Sequence, residues 1–122
     1  MLTPQQLDDQ YNARAAIPDH PLIFARWREE SRVARGRLNV DADCRFGPSA
    51  AETLDLYPAA TRDAALLVFI HGGYWRSLDK QDFSYLAPAF VEAGIAVAMP
   101  NYGLAPATSI ADMVRQMLGA LS

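Results

Sequence analysis

The chain is poor in cysteine, has no long apolar run and carries no excess of positive charge. Cys44 is its single cysteine, so no disulfide framework can form within it. No apolar stretch approaches the roughly 20 residues of a membrane-spanning helix. Eleven Lys and Arg against 14 Asp and Glu leave a net charge of −3, which is no electrostatic footprint for nucleic acid. Residues Met1–Gln10 are polar and acidic, with nothing that reads as a signal peptide, so a cytoplasmic location is the expectation. His20 and His71 are the only histidines. Neither has a partner at metal-ligand spacing, and no metal or cofactor is expected. There is no internal repeat. What remains is a 122-residue chain, 51% apolar and 20% charged, long enough for one domain with a real core.

The most informative stretch is Leu66–Trp75, Leu-Leu-Val-Phe-Ile-His-Gly-Gly-Tyr-Trp. Its apolar run has no alternation, which reads as a strand buried on both faces, as in a parallel sheet. Gly72-Gly73 gives the backbone a tight turn and an approach free of Cβ atoms. In open α/β sheets ligands sit beyond the carboxyl ends of strands, so His71–Trp75 falls where chemistry is done. Ile95–Met99 is a second buried run. Between the two, Lys80–Glu92 fits a helix capped by Asp79 and stopped by Gly94, with Phe83, Leu86, Ala87 and Phe90 inward and Pro88 predicting a kink. Strand, helix, strand is a right-handed βαβ unit with parallel strands.

The flanks read as follows. Thr3–Ala15 predicts a short helix, with Thr3 as cap and Pro4 in the first turn. Pro21–Arg35 predicts a second, with Ile23, Phe24, Trp27, Ser31 and Ala34 on one face and Gly36 as stop. Leu38–Phe46 alternates, which puts a strand in part of it and makes Cys44 a small buried residue. Glu52–Tyr57 alternates again, with Leu54 and Leu56 on one face and Asp55 on the other, as in a half-exposed antiparallel strand. Ser109, with Asp112 three residues on, opens a last helix whose stripe is Ile110, Met113, Val114, Met117, Leu118 and Leu121.

His71-Gly72-Gly73-Tyr74-Trp75 resembles the oxyanion-hole segment of α/β-hydrolases. Asn101-Tyr102-Gly103-Leu104-Ala105-Pro106, Tyr11-Asn12-Ala13-Arg14 and Leu54-Asp55-Leu56-Tyr57 are similar to segments of the branch that contains kynurenine formamidase (arylformamidase) and related carboxylesterases. The resemblance implies the N-terminal portion of an α/β-hydrolase sheet, mostly parallel with an antiparallel edge strand, preceded by two helices. It divides one incomplete domain into a helical, cap-like segment at 1–37 and the first half of the sheet at 38–122. The two helices could equally cover only an edge of the sheet. It implies backbone oxyanion donors at Gly73 and Tyr74, loop support from Gly72 and His71, and a substrate wall that includes Trp75, Tyr74 and Tyr102. The two aromatics of the loop could equally anchor it in the core.

The family's nucleophile pattern is Gly-x-Ser-x-Gly. None of Ser31, Ser49, Ser77, Ser84, Ser109 and Ser122 stands in it, so the nucleophile, its acidic partner and its base are expected outside this chain. The expectation is the N-terminal fragment of a serine hydrolase acting on an aryl formamide or ester through an acyl-enzyme, inactive by itself. The alternatives are a general short-chain carboxylesterase and a non-catalytic hydrolase-like binding or assembly module. No nucleic acid or membrane partner is expected. The strand at Leu66–Ile70 would present an open edge through which chains could self-associate.

Overall fold

The computed structural model describes residues 1–122. The chain opens with three helices: α1 (Pro4–Tyr11), α2 (Ala13–Ala16) and α3 (His20–Arg37). The first predicted helix is split because Asn12 ends α1 and caps α2, accepting from the Ala15 N–H at 3.1 Å. Thr3 caps α1, in a reciprocal box with Gln6. Gly36 does not stop α3, which continues to Arg37. Of its predicted face, Ser31 and Ala34 are buried and Trp27 packs on the core.

Four strands follow: β1 (Asp41–Arg45), β2 (Thr53–Tyr57), β3 (Leu66–Val68) and β4 (Ala96–Pro100). They lie in the order β1-β2-β4-β3. β1 with β2 and β2 with β4 are antiparallel, and β3 with β4 is parallel. The sheet is therefore mixed, with two antiparallel pairings to one parallel, where a mostly parallel sheet was expected. The reason is topological: the chain holds one βαβ unit, β3 to β4, and β1 and β2 are joined as a hairpin.

Between β3 and β4 the predicted single helix is a 3-10 helix (Lys80–Leu86) that passes into α4 (Ala87–Glu92). Pro88 sits in the first turn of α4, where its missing N–H costs nothing. Asp79 caps the 3-10 helix. Phe83 and Ala87 are buried, whereas Phe90 is exposed. The core joins Tyr57, Phe83, Ala87, Val97 and Met99, with Trp27 among the side chains packed around it.

Three expectations about burial are corrected. The β3 run is not buried on both faces, because only one face is covered: Leu67 and Phe69 pack on the core, whereas Leu66 is 57% and Ile70 45% exposed. In β2 the buried residues are Asp55 and Tyr57, while Leu54 and Leu56 are half-buried. Cys44 is exposed, as is all of β1. A register shift between Asp41 and Cys44, with Asp43 at φ 54°, breaks the alternation that would have turned Cys44 inward. The last helix, α5 (Ile110–Ala120), is capped by Ser109, which accepts from the Asp112 N–H at 3.1 Å. Of its apolar stripe Met113 is buried, whereas Ile110, Val114, Leu118 and Leu121 are exposed.

Candidate functional site

Beyond β3 the chain turns through a loop of unusual backbone. Gly73, Tyr74 and Trp75 have φ of 121°, 56° and 58°. Glycine takes such a φ without penalty, but tyrosine and tryptophan do not, and strain of this kind gathers at working sites. Gly73 is also fixed by space, since a Cβ there would lie 2.0 Å from the Ser77 carbonyl oxygen.

The loop is held from below. His71 is 3% exposed, and its ring stacks between Tyr102 and Phe83, with centroids 4.5 and 5.9 Å away. Its Nδ1 lies 2.7 Å from the Gly72 carbonyl oxygen and its Nε2 3.1 Å from Asn101 Oδ1. Asn101 is oriented by its other bonds. The Lys80 N–H donates to its Oδ1 at 2.9 Å, and its Nδ2 donates to Asp79 at 2.7 Å. Burial pushes the Tyr102 hydroxyl up, which keeps it protonated, and it donates to the His71 carbonyl at 2.7 Å.

The carbonyls of Gly72 and Gly73 are both tied down, that of Gly72 by His71 Nδ1. Gly73 O accepts from the Arg76 N–H at 3.1 Å and from Ser77 Oγ at 2.9 Å. A trans peptide sets its N–H opposite its C=O, so these contacts also aim the N–H groups of Gly73 and Tyr74. Neither N–H donates to another group of the chain.

A cavity of about 260 Å³ opens beside this loop, against α5. Ile70, His71, Trp75, Tyr102, Met113 and Met117 line it. Trp75 and Tyr102, two of the three residues expected to meet substrate, thus share one apolar wall. Tyr74 does not line it; its side chain is 68% exposed, with its ring 5.7 Å from that of Trp75.

A buried charge cluster escaped the sequence reading. Asp55 is fully buried and accepts from Lys80 Nζ at 2.6 Å, from the Asp43 N–H at 3.0 Å and from Arg35. Lys80, 2% exposed, also donates to Asp43 at 2.7 Å. Burial alone would push the Asp55 carboxyl up, but these donors hold it below the usual carboxylate range. Burial would likewise lower Lys80, but Asp43 and Asp55 hold it above the usual lysine range. The alternation of β2 puts Asp55 opposite a leucine face, and Lys80 stands in the sequence as the first residue of a helix. Two cations and two acids far apart in sequence carry no local signal of meeting.

No family model matches the chain. It is 30% identical over 118 residues to a kynurenine formamidase of Salmo salar and 34% identical over 117 to one of Danio rerio. Each alignment covers 94% of this chain and 39% of the relative, so the chain spans about two fifths of the length of the relatives it matches. A crystal structure of a protein assigned as a thioesterase, from Silicibacter sp. TM1040, superposes with a TM-score of 0.88 at 32% identity, over 94% of this chain and 45% of that one. Esterase LipW of Mycobacterium marinum superposes with a TM-score of 0.65 at 19% identity, over 91% of this chain and 37% of that one, which speaks to fold alone. The chain is similar over nearly its whole length to part of the kynurenine formamidases, and its fold is that of part of an α/β-hydrolase.

Proposed function

We propose that these 122 residues supply the oxyanion hole of a serine hydrolase that cleaves an aryl formamide or an ester through an acyl-enzyme. The observation that carries this reading is the pair of amide donors at Gly73 and Tyr74. Both lack an acceptor in the chain, both belong to peptides pinned from the carbonyl side, and both lie between His71 and Trp75, which line the apolar cavity. Donors fixed before reaction stabilise a developing oxyanion without reorganising, and they act more strongly where water is excluded. His71 and Gly72 support the loop, and Trp75 and Tyr102 form part of the acyl or leaving-group wall. The nucleophile, acid and base come from outside these residues, since no serine here stands in a Gly-x-Ser-x-Gly elbow. The formamidase relatives favour a formamide substrate, and the thioesterase-assigned structure at 32% identity keeps ester hydrolysis as the second reading.

Two experiments test this. The 122-residue chain should not hydrolyse p-nitrophenyl acetate or formyl-kynurenine above background, because donors alone stabilise an oxyanion but do not make one. Turnover that a fluorophosphonate blocks would overturn that. In a chimera, the chain replaces the matching segment of the Danio rerio relative. Gly73→Ala, whose Cβ cannot sit beside Ser77 without shifting the loop and both donors, should lower the acylation rate by roughly two to three powers of ten, as when one oxyanion donor is lost. An unchanged rate in a folded chimera would remove the oxyanion role, and the ratio of formamide to ester turnover separates the two substrate readings.

A further inference from the structure

We propose that Arg14, on α2, is a positioning residue for the oxyanion donor at Tyr74, acting through Ser77 on the Gly73–Tyr74 peptide. This rests on the oxyanion reading above for its catalytic meaning. Arg14 Nη2 donates to Ser77 Oγ at 2.7 Å, and Ser77 Oγ donates to Gly73 O at 2.9 Å. The direction of the relay follows from the inventory of donors and acceptors. A guanidinium only donates and a carbonyl only accepts. A hydroxyl between them must accept from the arginine and give its own proton to the carbonyl. Arg14 therefore removes the freedom of the Ser77 hydroxyl to turn elsewhere. It also polarises the hydroxyl, as charged donors do at the head of a hydrogen-bond chain.

The carbonyl at the far end belongs to the same rigid peptide as the Tyr74 N–H. Electron density drawn toward Gly73 O leaves that N–H more acidic and fixes where it points. Sixty-three residues separate Arg14 from Ser77, so the contact is tertiary and not an accident of local chain geometry. Nothing else in the cluster uses the guanidinium as an ion-pair partner. Its other neighbour is the face of Phe24, 5.7 Å from the ring centre. α1 and α2 bury no residue of their own, so Arg14 is where this segment engages the loop. A solvent-facing pair of helices thereby gains a role at the site without contributing to its walls.

The sequence permits a direct test. Gly73-Tyr74 is the only Gly-Tyr step in the chain. Labelling glycine with carbonyl 13C and tyrosine with 15N thus yields one carbonyl–nitrogen cross-peak, read in solution or, for associated protein, by magic-angle spinning. Ser77→Ala should move that peak to lower carbonyl frequency as the carbonyl loses a donor. Arg14→Ala should move it part of the way in the same direction. Arg14→Lys, which restores a charged donor, should bring it back toward its starting place. Arg14→Ala should add nothing in the Ser77→Ala background. Circular dichroism of each variant should match the parent. A peak that Arg14→Ala leaves in place, or that it still moves when Ser77 is absent, overturns the relay. That outcome leaves the oxyanion reading standing. Conversely, an unchanged acylation rate in the Gly73→Ala chimera removes the reading without touching the cross-peak.

Discussion

Lys80 and Asp55 are buried beside each other, and each is satisfied by more than one partner. Charges so deep survive only because the cluster is complete. Lys80→Met leaves Asp55 buried with only Arg35 and a backbone donor, and should cost about 3–5 kcal/mol, read as a lower urea midpoint at unchanged slope. Replacing Asp55 with Asn in the Lys80→Met background should cost less than it does alone, because the two share one interaction. The pH dependence follows the same groups. Asp55 has its carboxyl depressed in the fold. Its contribution is therefore present above the unfolded carboxylate range, near ~3.9, and is lost as pH falls through the folded value. Lys80 is raised, so its contribution is present below the unfolded lysine value, near ~10.4, and is lost as pH rises through the folded one. Urea midpoints across pH should form a plateau between those limits.

At the scale of elements, the start of the 3-10 helix does two things at once. Asp79 accepts from the Gln81 N–H at 2.9 Å as cap, and from Asn101 Nδ2 at 2.7 Å. The second bond orients the amide that faces His71. Asp79→Ala should therefore cost about 1 kcal/mol as a lost cap and somewhat more through Asn101, whereas Asp79→Asn should recover the cap. Thermal melts of the two variants separate these parts. Asp79 as a cap was legible, because an acid before a helical stretch is a local signal, and so was Ser109. The turn at the glycine pair was legible for the same reason: Gly72-Gly73 closing an apolar run is a local turn signal, and Gly73 takes a φ of 121°. The second bond of Asp79 was not, since it joins residues 22 apart. Nor was the inward turn of Asp55. The alternation of β2 was read with the right period, but which face turns inward depends on Arg35 and Lys80, which the strand itself does not reveal. In β1 the period failed, because one bulge at Asp43 shifts the parity of every residue after it.

At the scale of the molecule, the sheet has an uncovered end. β3 has a single strand neighbour, β4. No charge, proline or glycine lies between Leu66 and Ile70 to discourage pairing. Ile110, Val114, Leu118 and Leu121 of α5 are exposed as well. A second copy of the chain, adding β3 to β3, should bury part of this surface. Sedimentation velocity at tens of micromolar is expected to show species larger than the monomer, and Val68→Lys, a charge placed on β3, should reduce them. A cooperative monomer over that range would show that this edge does not recruit another copy.

The strand order also has a consequence in time. β4 pairs with both β2 and β3, yet it is the last of the four strands in the chain. On a ribosome the β1–β2 hairpin can close as soon as Tyr57 is free. β2 and β3 are not neighbours in the sheet, so the open edge of β2 and the whole of β3 lack their common partner until Pro100 has emerged. At roughly 5–20 residues per second, the 43 residues from Tyr57 to Pro100 take roughly 2–9 s to make. Through that interval the outer edge of the hairpin, and from Val68 onward β3 as well, waits for β4. β4 acts as a closing key: the hairpin and β3 cannot join one sheet before it, and only after it can the His71 loop acquire Asn101 and Tyr102, the next two residues to be made.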